Sequence, residues 1–481
     1  MIEFRPVIFV LGILLSILAV AMVIPAVVDA MIGHPDWQVF AAASGTTLFV
    51  GVAMILTNRS GWAGFSLREA FLLTNLAWLV VAIFGSLPFA YSELDLSVTD
   101  AFFESMSGVT TTGATVIVGL DFAPPGILLW RAILQWLGGI GIIVMAISVL
   151  PILRVGGMQM FRLEAFETDK VLPRAAQIAG GIALVYLILT VFAAVVLWAL
   201  GMTGFEAVAH AMTSIATGGF STSDLSLAKF NSAAIDWSIS LFMILGSLPF
   251  VLYLRAVRGN PGYILRDSQV RWMLAIMAAS VSIVAVWLWA ELDMGPVTAL
   301  RYSAFNVISV MTGSGFATAA FDTWGGFVMT IMFTLMFVGG CAGSTTCGIK
   351  IFRFQVLYAT ALTQMKRLLQ PHGVFFPYYN KRPIPESVSA SVMAFFFLFI
   401  GSFGMLAMGL GLMGLDFVTA VSGAASAIAN VGPGLGEIIG PAGTYRPLPD
   451  EAKWLLCAGM LLGRLELFTI LVLFMPMFWR G

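Results

Sequence analysis

Charge is scarce in this chain. Asp, Glu, Lys and Arg make up 10% of its 481 residues, against about 25% in soluble globular proteins, which excludes an ordinary soluble fold. The formal net charge of -1 leaves no basic excess with which to hold nucleic acid. Histidine and cysteine occur three times each. Cys341, Cys347 and Cys457 fall in apolar or glycine-rich stretches, so they make neither a disulfide framework nor a zinc site. There is no HExxH, no GxSxG and no pair of carboxylates inside an apolar span, which argues against a membrane-embedded enzyme and gives no sign of a bound cofactor. What the chain does have is 59% hydrophobic residues, 49 glycines and a mean hydropathy of +0.97. Those values describe a polytopic membrane protein.

Ten apolar spans are long enough to cross about 30 Å of hydrocarbon. They lie near 6–28, 38–57, 69–91, 126–150, 177–200, 233–256, 271–292, 325–349, 387–413 and 452–478. The first is too long for a signal peptide's apolar core and reads as a retained transmembrane helix. Four shorter segments, 100–111, 205–216, 298–312 and 417–429, cannot cross, and each ends at a glycine loop. The loops read VTTTGAT, IATGGFST, MTGSGFAT and ANVGPGLG. Aligned on Gly113, Gly218, Gly315 and Gly432, they are separated by 105, 97 and 117 residues. A period near one hundred means four copies of one unit. Each unit is a span, a half-helix, a glycine loop and a second span. The expected division is 1–66 for two extra leading helices, then repeats at 67–153, 154–258, 259–370 and 371–481.

The charge pattern supports this count. With the N-terminus and inter-repeat connections on one side, all but six of the 24 Lys and Arg residues share that side; the exceptions are Arg131, Lys229, Arg301, Arg446, Lys453 and Arg464. The positive-inside rule then puts both termini in the cytoplasm and the loops toward the outer half of the membrane. Four copies predict a pseudo-fourfold ring. Re-entrant backbone is tolerated at membrane depth only where it is packed in protein or lines a watery cavity. Half-helix C-termini pointed at one axis bring partial negative charge to it and favour a cation. Asp100 and Glu206 suit the N-terminal ends of the first two half-helices. For any single loop, a tight helix–helix turn explains the glycines as well; four in register argue for a pore.

The loop after DAFFESMSG, the run QWLGGIGI, and the motifs GGFST, GGCAGST, NVGPGLG and GRLELFT together resemble the Trk/Ktr/HKT superfamily of potassium transporters. The two leading spans and the length resemble its TrkH-type membrane subunits. The resemblance covers essentially the whole chain. It implies an all-α fold of four membrane-pore-membrane repeats, a potassium pathway in the cell (inner) membrane, a homodimer in membrane lipid, and a cytosolic nucleotide-binding regulatory subunit of the TrkA type. It also implies filter carbonyls at Thr111, Thr112 and Gly113; Ala216, Thr217 and Gly218; Gly313, Ser314 and Gly315; and Asn430, Val431 and Gly432. Glycine at all four aligned positions favours potassium over sodium. The differing side chains fit a filter that also admits rubidium.

One span is interrupted. FVGGCAGSTTCGIK, from Phe337 to Lys350, places Gly339, Gly340, Gly343 and Gly348 around Ser344, Thr345 and Thr346, a composition that breaks a helix. A small-residue packing face is the plainer reading. The resemblance implies instead a gate loop beneath the filter, with Thr346 and Cys347 where relatives often have more glycine. Arg464, deep in the last span, costs at least about 2.5 kcal/mol to insert and is a functional candidate on that ground; a structural ion pair with another helix is the alternative. The resemblance places it facing the pore below the filter. Glu104 and Asn306, each nine residues before an aligned glycine, are positioned to brace loop backbone. His210 reads as a hydrogen-bonded core residue, and Arg301 as reaching the outer interface. The 351–385 connection is a candidate docking segment for a partner; anionic lipid or a plain solvated face accounts for its charges equally well. A proton- or sodium-coupled symporter on the same scaffold remains open at this point.

Overall fold

The computed structural model describes residues 3–59, 66–148, 171–257, 259, 261–380 and 382–480. The expected boundary between the first two repeats, and Arg154, Arg162, Lys170, Arg258 and Lys381, lie outside them. The described chain is helical apart from a two-residue strand pair, Tyr378–Tyr379 with Arg382–Pro383. Two leading helices, α1 (Phe4–Ile32) and α2 (Trp37–Thr57), form a hairpin. Gly12 and Gly51 make their contact close: a Cβ on Gly12 would come within 2.7 Å of the Gly51 carbonyl. Small residues allow such approaches in membranes, where van der Waals packing takes over from the hydrophobic effect.

Four similar units follow. The first has α3 (Leu67–Gly85), the short α4 (Val98–Val109) and α5 (Pro125–Ser148). The second has α6 (Val171–Ala199), α7 (Gly204–Ile215), α8 (Ala233–Ser247) and α9 (Phe250–Val257). The third has α10 (Ser268–Glu291), α11 (Pro296–Thr312), α12 (Gly326–Val338) and α13 (Ile351–Leu369). The fourth has α14 (Glu386–Leu412), α15 (Phe417–Ala429), α16 (Asp450–Arg464) and α17 (Phe468–Leu471). Within the apolar window of each helix, α5 buries 72% of its residues whereas α6, α10 and α14 bury 28%, 22% and 28%. The first spans of repeats two to four are therefore the lipid-facing ring, and α5 is an inner helix.

Among the described residues, seven helices are long and apolar enough to cross a membrane, or nine if each bent pair is one span. The tenth expected span is α12 with the buried irregular segment after it. One expectation needs correction: the interruption is not confined to the third repeat. The span 233–256 bends by 93° between α8 and α9, and 452–478 bends by 107° after Arg464. Pro249 accounts for the first bend, since it disfavours helix at Leu248, which is extended (ψ 152). The second has neither glycine nor proline. Glu466 and Leu467 adopt positive φ there, and Glu466 is paired with buried Arg353 on α13.

Candidate ion pathway

Three of the four half-helices start on a side-chain cap that the local sequence supplies. Ser97 accepts from the Asp100 N–H at 3.1 Å. Thr203 and Glu206 form a capping box. Asp416 accepts from the Thr419 N–H at 3.1 Å. The third uses Pro296 in its first turn, where the missing N–H costs nothing. The caps fix where each helix begins, and hence where its C-terminal end falls.

All four loops leave their helices alike. The N–H groups of Thr112, Gly218, Ser314 and Val431 reach back to the carbonyls of Ser107, Thr213, Ser309 and Ser426 at 2.9, 2.9, 2.9 and 3.0 Å. The residue before each has left-handed backbone: Thr111 (φ 54), Thr217 (φ 50), Gly313 (φ 70) and Asn430 (φ 51). So does the residue after: Gly113 (φ 86), Gly219 (φ 76), Gly315 (φ 77) and Gly432 (φ 106). This register corrects the expected one in the second repeat. Gly219, not Gly218, matches Gly113, and Ala216 falls one position too early, at the helix C-cap. Two adjacent glycines left the alignment ambiguous; backbone geometry separates them.

The loops close on one another. A Cβ on Gly113 would strike the Gly218 carbonyl, one on Gly219 the Ser314 carbonyl, and one on Gly315 the Val431 carbonyl. A Cβ on Gly432 would come within 2.7 Å of the Thr112 carbonyl, back in the first loop. First meets second, second third, third fourth and fourth first, which is a closed ring. Here glycine is required both by positive φ and by the approach of a neighbouring chain. Among the described residues, nothing donates a hydrogen bond to the carbonyls of Thr111, Thr112, Thr217, Gly313, Ser314, Asn430 or Val431. Buried carbonyls are almost always paired, so a ring of free ones is suited to replacing a cation's water shell. The Gly218 carbonyl differs in accepting from Gln135 Nε2 at 2.6 Å.

Behind the ring, each loop is braced. Glu104 accepts from the Val116 N–H at 2.9 Å and pairs with Arg131 at 2.7 Å. Asn306 holds the Thr318 hydroxyl and N–H at 3.0 and 3.3 Å. With Gly219 as anchor, His210 also lies nine residues before its glycine, and its Nε2 meets Ser221 Oγ at 3.1 Å. The expected bracing role thus extends to His210. In the fourth repeat, Ser426 Oγ and Tyr445 Oη donate to the Gly432 carbonyl at 2.7 and 2.8 Å. Arg301, expected at the outer interface, turns onto Asp236 at 2.7 Å. Near the start of the second half-helix, Lys229 bridges Asp121 and Glu206 at 3.3 and 3.1 Å. Burial works to raise the Asp121 carboxyl, but hydrogen bonds from Ser223 and the Asp224 N–H, with Lys229, outweigh it and hold it below the usual carboxylate range.

The inner helices carry glycines matched to the ring. Gly138, Gly246 and Gly463 stand against the carbonyls of Val109, Ile215 and Ile428, leaving no room for a Cβ. At the matching Gly339 the third repeat leaves the helix altogether. The segment from Gly339 to Lys350 then runs beneath the ring. The Thr345 N–H bonds the Gly246 carbonyl at 3.2 Å, and its hydroxyl meets the Ile215 and Gly246 carbonyls at 3.1 and 2.9 Å. Thr217, at the ring, donates to Thr345 Oγ1 at 3.1 Å. The Phe250 N–H bonds the Gly343 carbonyl, and the Ile351 N–H the Gly340 carbonyl, both at 3.0 Å. Ser344 and Thr346 share a hydrogen bond at 2.8 Å, and Lys350 Nζ holds the Thr346 carbonyl at 3.0 Å. Gly348 packs against Gly339. Arg464 ties this segment to the first repeat. It donates to the Thr345 carbonyl at 3.2 Å, to Cys347 Sγ, and to the Gly138 carbonyl at 2.8 Å. Among the described residues it meets no carboxylate.

Gln135 and Arg131 were not among the expected site residues. Their signal was present in the sequence: two strongly polar side chains four residues apart in an apolar span, of which Arg131 carries the same charge as Arg464.

A membrane protein with four loops closing a ring of free carbonyls, and a buried segment crossing below it, has the architecture of the class of ion-transport proteins. Comparison with known proteins narrows the class. The TrkH family model, described as a cation transport protein, matches residues 37–480. The chain is 45% identical to the Trk system potassium uptake protein TrkI of Halomonas elongata, covering 99% of this chain and 97% of that one. It is 36% identical to the Trk system potassium uptake protein TrkH of Escherichia coli K12, over 99% of this chain and 100% of that one. The crystal structure of the potassium transporter TrkH from Vibrio parahaemolyticus superposes with a TM-score of 0.93 at 36% identity, over the full length of both chains. The chain belongs to the TrkH family of cation transport proteins, and it is an integral membrane protein.

Proposed function

We propose that this protein takes up potassium across the cell (inner) membrane through the ring of loop carbonyls. The ligands are the carbonyls of Thr111, Thr112 and Gly113; Thr217, Gly218 and Gly219; Gly313, Ser314 and Gly315; and Asn430, Val431 and Gly432. The observation that carries this reading is the closed ring, with carbonyls from all four repeats left free of donors. The segment from Gly340 to Lys350, pinned by Arg464, is the gate and must move for ions to pass. The Trk potassium uptake proteins among the relatives support potassium as the cargo. The lopsided distribution of basic residues supports cytoplasmic termini. The protein works as a homodimer with a cytosolic nucleotide-binding subunit of the TrkA type, for which the 351–385 connection is the docking segment.

The test is flux into liposomes holding the purified chain, comparing potassium, rubidium, sodium and lithium. Potassium and rubidium should enter well ahead of sodium and lithium. Equal entry of all four ions would leave a pore but remove the selective filter. Gly113→Ser puts a Cβ against the Gly218 carbonyl at φ 86, spreading the first two loops. It should cut the potassium-to-sodium ratio about tenfold, the equivalent of 1.4 kcal/mol.

A further inference from the structure

The ring is built by four similar repeats, but its sides are not held alike. Counting seven residues back from Gly138, Gly246 and Gly463, the three glycines that stand against half-helix carbonyls, gives Arg131, Ile239 and Leu456. Counting three back gives Gln135, Met243 and Met460. Only the first repeat is polar at these positions, and both of its polar side chains reach across to the second loop. Gln135 uses both ends of its amide there, donating to the Gly218 carbonyl at 2.6 Å and accepting from the Phe220 N–H at 3.1 Å. Arg131 is 1% exposed and its partner Glu104 is fully buried. The guanidinium has three roles. Nε pairs with Glu104 at 2.7 Å, Nη2 reaches the Thr115 hydroxyl at 3.2 Å, and Nη1 donates to the Ser221 carbonyl at 2.7 Å. Its face covers the Phe220 ring at 4.0 Å. The first two contacts are to the first loop's own repeat and the others are to the second loop.

We propose that Arg131, oriented by Glu104, is a specificity-determining positioning residue: its planar fork sets the spacing between the first and second loops, and with it the discrimination between potassium and smaller cations. The inference rests on the filter reading above. A buried ion pair is weak evidence for stability, since well-packed apolar side chains often replace one at no loss, and here repeats two and four have apolar residues at the same position. What apolar residues cannot supply is a fixed distance between two backbone segments. A bidentate, planar group with directed donors can supply it. Lysine can keep the charge but not the fork.

The test uses the full-length chain in liposomes, at matched amounts of folded protein, with potassium and sodium flux measured separately. Arg131→Lys preserves the charge beside Glu104 and should lower the potassium-to-sodium ratio about tenfold, the effect of losing one charge-assisted hydrogen bond, while total cation flux is kept or rises. The double variant Arg131→Met with Glu104→Gln removes both charges together and should lower the ratio at least as far. A purely structural or charge-neutralising role predicts otherwise: in the double variant, stability changes and the ratio does not. A ratio within twofold of the parent in both variants overturns the proposal. The parent protein serves as the control for the underlying reading. If it does not prefer potassium, the filter reading itself fails; if it does and the variants match it, only the role of Arg131 fails.

Discussion

Two stretches of irregular backbone lie at membrane depth in this protein, and they are treated in opposite ways. In the ring, ten of the twelve carbonyls have no donor among the described residues; those of Gly218 and Gly432 are the exceptions. The segment below, from Gly339 to Lys350, is hydrogen-bonded to four other helices: Thr345 donates to the Ile215 and Gly246 carbonyls, while the Phe250 N–H and Arg464 donate to the Gly343 and Thr345 carbonyls. Free carbonyls in a low-dielectric interior are costly unless a cation visits them. Satisfied ones are a resting arrangement. On the function proposed above, the comparison separates a place that binds an ion from a place that stays closed, although both are glycine-rich and both interrupt helices.

The comparison can be broken most severely at the ring. Gly219→Ala places a Cβ against the Ser314 carbonyl at φ 76, and strain plus overpacking should cost about 3 kcal/mol and abolish selective flux. Gly218→Ala meets the Gln135 side chain instead and should be milder; the reverse order, read from thermal unfolding in detergent and from flux, would show the register to be wrong. Arg464→Ala removes the donor to both the Thr345 and Gly138 carbonyls. Basal potassium flux should rise about tenfold, since 1.4 kcal/mol shifts a closed-to-open ratio by that factor. Flux that stays flat with normal expression would remove Arg464 from the gate. Thr345→Val keeps the side chain's shape and deletes its hydroxyl bonds to Ile215 and Gly246, for a rise of about fivefold from roughly 1 kcal/mol. The smallest effect belongs to the scaffold. Asp416→Ala loses one half-helix cap, costing about 1 kcal/mol of stability without altering the ion preference.

Much of the fold was legible before any coordinates. Ten spans, four half-helices and their order follow from hydropathy and period, because lipid forces long apolar helices and leaves short ones to protein-lined sites. The bends after α8 and α16 were not legible. Pro249 gave a local hint for the first. The second depends on Glu466 finding Arg353, a partner 113 residues away in the chain. The second-loop register was missed for a related reason: with Gly218 and Gly219 adjacent, only backbone conformation decides which one turns left-handed. His210 became a bracing residue once that register moved by one.

The sequence by itself determined that this is a polytopic membrane protein, that it is fourfold repeated, where each half-helix starts to within two residues, and which residues break the third repeat. Each of those is a local matter of hydropathy, capping or glycine content. Only the tertiary structure decided that the four loops close into one ring, that all but two of its carbonyls stay free of donors, and that Arg464 reaches both the crossing segment and the first repeat. Those facts depend on distances between residues far apart in the chain, and no local preference encodes such a distance.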